Sequence, residues 1–212
     1  MTLRPPGMDF LGGYYVFPGG GVRKEDCSEA VLRRCRNLTK KEAQRILGNH
    51  LSPELSLGHW VAAIRELFEE VGVLLCVAEE GRPSDGREKG HRENLADRRR
   101  ALLHGSIDFR EFLESEGLLC DAGLLRHFSH WLTPEEFPTR FDTRFYLCPL
   151  PLDQDPLAAS EEVAHGFWVA PEQALDLCQR GKLPVIFPTF AVLRNLADYD
   201  SLESLWTEYG PR

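Results

Sequence analysis

The run Arg65-Glu66-Leu67-Phe68-Glu69-Glu70-Val71-Gly72-Val73 carries the clearest signal in this chain. On a helix, residues three and four apart share a face, so Glu66, Glu69 and Glu70 converge within about 6 Å along the axis. Leu67, Phe68 and Val71 then bury the other side. Like charges at this spacing repel by roughly 0.2–0.5 kcal/mol a pair, and a bound divalent cation removes that repulsion. An all-oxygen carboxylate set favours Mg²⁺ or Mn²⁺ over zinc. The plain alternative is an acidic helix face turned to water. Three neighbours weigh against it: the adjacent Arg65, the glycine placed to cap the helix, and the turn Phe17-Pro18-Gly19-Gly20 upstream.

Outward from that segment, Ser52-Pro53-Glu54 opens the helix, and Val61, Ile64, Leu67, Phe68 and Val71 recur at helical spacing. Gly72 is the expected C-cap, and Val73 to Val77 reads as a buried strand. Upstream, Tyr14 to Phe17 reads as a strand stopped by Pro18 and three glycines. Thr39 and Glu42 have capping-box spacing, with Gly48-Asn49 as the stop. Downstream, Glu79 to Arg92 reads as a loop, and Asn94 to Leu103 and Asp108 to Glu116 as surface helices. Strands follow over Leu124 to Leu132 and Phe141 to Leu150, joined by a turn from Thr133 to Arg140. His165 to Val169 is a further strand, Pro171 to Gln179 a helix, and Pro188 to Tyr209 mostly helical. The expectation is one mixed α/β domain spanning residues 1–212, with excursions over 27–52 and 79–116.

Bulk properties exclude several classes. The 212 residues are 42% hydrophobic and 27% charged, ordinary for a globular protein. No apolar run approaches the roughly 20 residues of a membrane span, so no membrane partner is expected. The formal charge of −8 argues against a nucleic-acid partner. Arg98-Arg99-Arg100 reads as a solvated helix face beside acidic residues. Six cysteines lie scattered without a C-x-x-C pair, which points to reduced thiols and a cytoplasmic location. An anionic substrate must be attracted locally, and a divalent cation serves.

These residues resemble the Nudix box, G-x5-E-x7-R-E-U-x-E-E-x-G-U with U aliphatic. Arg65 to Val73 matches its second half at every fixed position. Gly20 begins the first half, with Asp26 where the family has Glu; the register Gly19 with Glu25 also fits. Between Asp26 and Arg65 lie 38 residues where the family has seven. An insertion there is similar to the peroxisomal coenzyme A diphosphatase-like Nudix proteins. Tyr14 to Gly20, Trp131 to Phe145 and Leu183 to Leu196 are similar to that subgroup as well. Asp9 departs from it, standing where coenzyme A-cleaving relatives often have an Arg.

The resemblance implies a Nudix α/β/α sandwich with a mixed sheet and helical insertions. This chain begins where the family's opening β-hairpin should end, so a sheet lacking that hairpin is expected. An edge so exposed invites pairing, with a homodimer as the assembly. The implied reaction is metal-dependent hydrolysis of a diphosphate linkage in a nucleoside diphosphate derivative, coenzyme A and acyl-coenzyme A among the options. Glu66, Glu69 and Glu70 fall on the metal-binding and water-activating glutamates, with Mg²⁺ or Mn²⁺ as cofactor. Gly20, or Gly19, matches the glycine whose carbonyl approaches the metal. Arg65 falls on the arginine that pairs with the first-half acid, here Asp26, and supports catalysis by holding loop to helix. Glu66 is a ligand and a candidate base; Glu161 and Glu162 are the candidates if the base comes from a later loop. Arg140 and Asp142, heading an apolar strand, either meet substrate or form a structural ion pair. The rival reading is a non-catalytic binding or regulatory module that keeps the box without a full site.

Overall fold

The computed structural model describes residues 1–79, 89–136 and 139–210. Its first half contains β1 (Thr2–Leu3), β2 (Tyr15–Val16), α1 (Glu29–Leu32), β3 (Cys35–Arg36), α2 (Lys40–Leu47), α3 (Pro53–Val71), β4 (Cys76–Ala78) and α4 (Lys89–Leu103). Then come α5 (Phe109–Ser115), β5 (Leu118–Asp121), β6 (Arg126–Leu132), β7 (Asp142–Leu147), β8 (His165–Gly166), α6 (Pro171–Gln179), α7 (Phe187–Leu196) and α8 (Leu202–Tyr209). Among the described residues, no helix is long and apolar enough to cross a membrane. The chain divides into two compact units. One comprises Met1–Pro18, Arg126–Leu147 and Leu157–Arg212; the other comprises Gly19–Leu125 and Cys148–Pro156.

The unit containing Gly19–Leu125 is organised on α3. Ser52 caps its start, accepting from the Leu55 N–H at 3.1 Å, and Pro53 fills the first turn, where a missing N–H costs nothing. Gly72 ends it at φ 74°, a left-handed cap that a side chain would strain. Thirteen of the nineteen residues of α3 are buried, the glutamates included, so this is an interior helix rather than an amphipathic surface one. Phe68 stacks on Phe112 at 5.0 Å, and Trp60 donates from its indole nitrogen to the Leu125 carbonyl at 3.3 Å. The capping boxes Thr39/Glu42 on α2 and Asp108/Glu111 on α5 are both formed.

A small mixed sheet runs β3-β5-β4, with β3 parallel and β4 antiparallel to β5. Strand β5 was not expected from the sequence. The strand expected over Val73 to Val77 pairs only from Cys76 onward. Just before it, the Gln154 side-chain amide accepts from Leu74 N–H at 2.7 Å and donates to Leu74 C=O at 2.9 Å. A distant amide thus satisfies backbone groups that a neighbouring strand would otherwise take. The loop expected over Glu79 to Arg92 lies mostly outside the described residues, and from Lys89 the chain is already helical.

The other unit holds two sheets. In one, β1 pairs antiparallel with both β2 and β8, Thr2 opposite Val16 and Gly166. In the other, β6 and β7 form an antiparallel ribbon with an irregularity between His127 and Ser129. The pairing is shorter than the sequence pattern at both β7 and β8. Beyond β7, Pro149 and Pro151 have no N–H to give a ladder. Of the turn read over Thr133 to Arg140, residues 137–138 lie outside the described ones. Ala174, Leu183 and Leu193, from α6, the loop after it and α7, form the core here, packed by Tyr15, Phe17 and Phe167.

Candidate active site

Because α3 is interior, its acidic turn is interior too. Glu66, Glu69 and Glu70 are only 6%, 1% and 3% exposed, which rules out the solvated-face alternative. Buried carboxylates need partners, and most of them come from the segment Gly19–Asp26 and from Arg65 itself. Arg65 donates from Nε and Nη2 to the two oxygens of Asp26, both at 2.9 Å. Its Nη2 also reaches the Gly21 carbonyl at 2.9 Å, and its Nη1 reaches Glu66 at 2.5 Å and Glu69 at 2.9 Å. Asp26 accepts in addition from the Arg23 N–H at 2.8 Å, closing its own turn. Of the two registers the sequence allowed, this geometry uses Asp26; Glu25 is exposed.

The glycine turn meets the same helix face. Gly19 N–H donates to Glu70 Oε2 at 3.2 Å. A Cβ on Gly20 would lie 2.6 Å from the Glu66 carboxyl carbon, so no side chain fits there without moving Glu66. Burial pushes the Glu66 carboxyl above its ordinary value and the charge of Glu69 adds to this, against the opposing pull of Arg65 and Arg23. One carboxylate oxygen of Glu66 and one of Glu70 lie within 4.8 Å of each other.

These residues fit a hard divalent cation. The side-chain donors are oxygens, the burial that penalises Glu66 as an anion is what a cation offsets, and Gly20 keeps the approach clear. Ligands about 2.1 Å from Mg²⁺ stand roughly 3–4.2 Å apart, so Glu66 and Glu70 need only a small adjustment to share an ion. Glu69 is placed differently. Its oxygens accept from Arg23 at 3.2 and 3.1 Å as well as from Arg65. Both of its oxygens are thus engaged by arginine donors, the half-exposed Arg23 among them.

The sequence reading did not single out Arg23. It lies three residues before Asp26, inside the matched box, but nothing local distinguishes it from a surface arginine. Arg99 corrects the reading of Arg98-Arg99-Arg100 as a solvated face: its Nη1 donates to the Glu69 carbonyl at 2.7 Å, satisfying one of the open carbonyls of the last turn of α3. Arg98 pairs with Glu116 at 3.0 Å, and Arg100 with Asp97 on the exposed side.

Arg140 and Asp142 do not pair with each other. Exposed Arg140 donates to the Thr133 carbonyl at 3.1 Å and lies 3.7 Å from Glu135. Asp142 instead meets His130 and Arg144 on the β6–β7 ribbon. The ion-pair alternative is therefore corrected, because each side chain is taken by a different partner: Arg140 by the Thr133–Glu135 segment, Asp142 by His130 and Arg144. Glu161 and Glu162 lie in the segment just before β8, in the unit that contains that strand.

A glycine turn laid over a buried carboxylate helix, with an acid–arginine pair clasping the two, is the Nudix arrangement, and the comparisons agree. The crystal structure of a NUDIX hydrolase from Alicyclobacillus acidocaldarius superposes with a TM-score of 0.73 at 30% identity, covering 99% of this chain and 88% of that one. The mixed α/β fold is thus a Nudix fold, as the resemblance implied. Residues 33–196 match the model of the NUDT19 Nudix domain, and the chain belongs to that family. Acyl-coenzyme A diphosphatase NUDT19 of Gallus gallus is 29% identical across 92% of this chain and 60% of its own length. The protein of the same name from Xenopus laevis is 24% identical across 92% of this chain and 58% of its own. The chain therefore spans about three-fifths of the length of these curated relatives.

Proposed function

We propose that this chain, working as one Nudix domain over residues 1–212, is a metal-dependent hydrolase of the diphosphate linkage in coenzyme A or an acyl-coenzyme A. The observation that carries the reading is the buried carboxylate turn of α3 set against a glycine turn that leaves no room for a side chain. The names of the curated relatives support the substrate class.

Glu66 and Glu70, with the Gly20 carbonyl, are the residues we assign to hold Mg²⁺ or Mn²⁺, with Glu69 joining when Arg23 releases it. Bound there, the ion supplies neutralisation of the phosphate oxygens and a lowered pKa for an attacking water. The chain's own residues do the rest. Arg65 holds Asp26 against α3, which fixes the glycine turn over the carboxylates. Gly19 N–H orients the Glu70 carboxylate. Glu66, whose carboxyl is raised by burial, can accept a proton from water; Glu161 or Glu162 is the base if Glu66 serves only as ligand. Arg140 is assigned no substrate contact.

The test is a substrate panel with Mg²⁺ or Mn²⁺: coenzyme A, acyl-coenzyme A, ADP-ribose, NADH and dinucleoside polyphosphates. Release of 3′,5′-ADP from the coenzyme A compounds, lost in Glu66→Gln and Glu70→Gln, is the expected result. A protein that binds these compounds but leaves the whole panel uncut with either ion is the non-catalytic module instead.

A further inference from the structure

The β6–β7 ribbon carries a buried cation that the carboxylate site does not use. Opposed residues in an antiparallel pair share a face, and alternate residues return to it. The register sets Arg144 opposite His130, Tyr146 opposite His127, and Asp142 opposite Leu132, so Asp142, Arg144, His130, His127 and Tyr146 share one face. Phe145, which meets the Phe17 ring edge-on at 6.0 Å, belongs to the other. The rings of His127 and Tyr146 lie 5.9 Å apart on the Arg144 face.

The Arg144 side chain is 1% exposed, and among the described residues neither of its terminal nitrogens makes an aligned hydrogen bond. Asp142 Oδ1 approaches Nη1 to 2.8 Å but off the N–H direction, and that same oxygen is also held by His130 Nε2. The buried His127 Nε2 likewise has no hydrogen-bond partner among the described residues. A guanidinium cannot shed its charge, so burying its donors without aligned acceptors is expensive. Its planar fork matches two oxygens of one anion, a geometry Asp142 does not supply here. On this face the Asp142 and His130 side chains are partly exposed, while the Arg144 side chain, opposite His130, is buried.

We propose that Arg144 anchors a phosphate-binding site on this ribbon, entered past Asp142, which the incoming phosphate displaces from the guanidinium. His127 Nε2 is the second group that meets the phosphate, and His130 remains paired with Asp142 at the mouth. The site goes beyond the hydrolase reading and does not depend on it. Its phosphate can be free inorganic phosphate or one carried by a nucleotide.

The test uses the full chain without divalent ions, so that its outcome is separate from hydrolysis. Binding of inorganic phosphate and of ADP is measured by calorimetry at constant ionic strength for wild type, Arg144→Lys and Asp142→Asn. Wild type is expected to bind at least one of them, and Arg144→Lys, which loses the fork, to bind several-fold more weakly. Asp142→Asn removes the competing carboxylate and is expected to bind several-fold more tightly. Binding of ADP alone supports the site and assigns it to a nucleotide; binding of both supports it for the bare group. If Asp142→Asn loses thermal stability without gaining affinity, the pair is only structural and the proposal is overturned, even should Arg144→Lys fail to fold. No binding of either anion at millimolar concentration overturns it equally.

Discussion

Gly20→Ala isolates the step from sequence to chemistry. The added methyl would sit 2.6 Å from the Glu66 carboxyl carbon and 2.6 and 2.7 Å from its two oxygens. Carbon atoms rest at about 3.5–4.0 Å, so the carboxylate must retreat by roughly 1 Å or the glycine turn must lift. Either movement strains the 2.5 Å bond from Arg65 Nη1 to Glu66. A charge-assisted hydrogen bond is worth about 1.5–3 kcal/mol, and partial loss puts the stability cost at about 1–2 kcal/mol. At about 2–4 °C per kcal/mol for a chain of this size, the melting temperature falls by roughly 2–8 °C. The larger effect is on the ion. A ligand misplaced by about 1 Å weakens Mg²⁺ binding by about tenfold or more, and each tenfold removes about 1.4 kcal/mol of stabilisation at saturating metal. The assay is thermal unfolding across a Mg²⁺ titration for wild type, Gly20→Ala and Gly21→Ala. A Cβ at Gly21 meets nothing within 4 Å, so that variant should titrate like wild type. If Gly20→Ala shows the wild-type metal midpoint, the glycine turn does not frame the ion and the reasoning fails.

Arg65→Met strands the buried Asp26 carboxylate and should cost about 3–5 kcal/mol in denaturant unfolding, well beyond the loss of one surface pair. Gly58 sits inside α3 with its Cβ position 2.4 Å from Cys27 Sγ, so Gly58→Ala alone should destabilise the protein. In a Cys27→Ala background the clash is gone, and the same substitution should stabilise by about 0.5–1 kcal/mol; unchanged signs in the two backgrounds would refute the packing account. Gln154→Leu leaves the Leu74 N–H and C=O without their amide partner and should cost about 1–3 kcal/mol, read as a lower urea midpoint. Burial raises the Asp142 carboxyl, but the His130 hydrogen bond and the Arg144 charge outweigh it, so it titrates below the ordinary aspartate value. Its contribution is present above that ordinary value and is lost as pH falls through the lower folded one. The melting temperature of wild type should therefore drop more steeply below about pH 4 than that of Asp142→Asn.

Local chemistry made much of this legible in advance. The start and end of α3, the Thr39/Glu42 box and the span of α6 follow from side chains within one or two turns of each other, and the structure has them where the pattern does. That Glu66, Glu69 and Glu70 fall on one turn follows from helical spacing alone; that Glu69 turns to Arg23 and Arg65 does not. Burial of those carboxylates does not, because the groups that meet them come from residues some forty to fifty positions away, at Gly19, Arg23 and Asp26. The same holds for β5, whose ladder exists only because β3 and β4 reach it from distant parts of the chain. Gln154 against Leu74 and Arg99 against the Glu69 carbonyl are again single long-range hydrogen bonds with no periodicity to announce them. Residue identity and spacing are enough to put three acids on one helical turn and a glycine turn upstream of it. That the turn closes on those acids in the Gly20 and Asp26 register emerges from long-range packing, since a pairing register is set by which donors find acceptors, not by spacing.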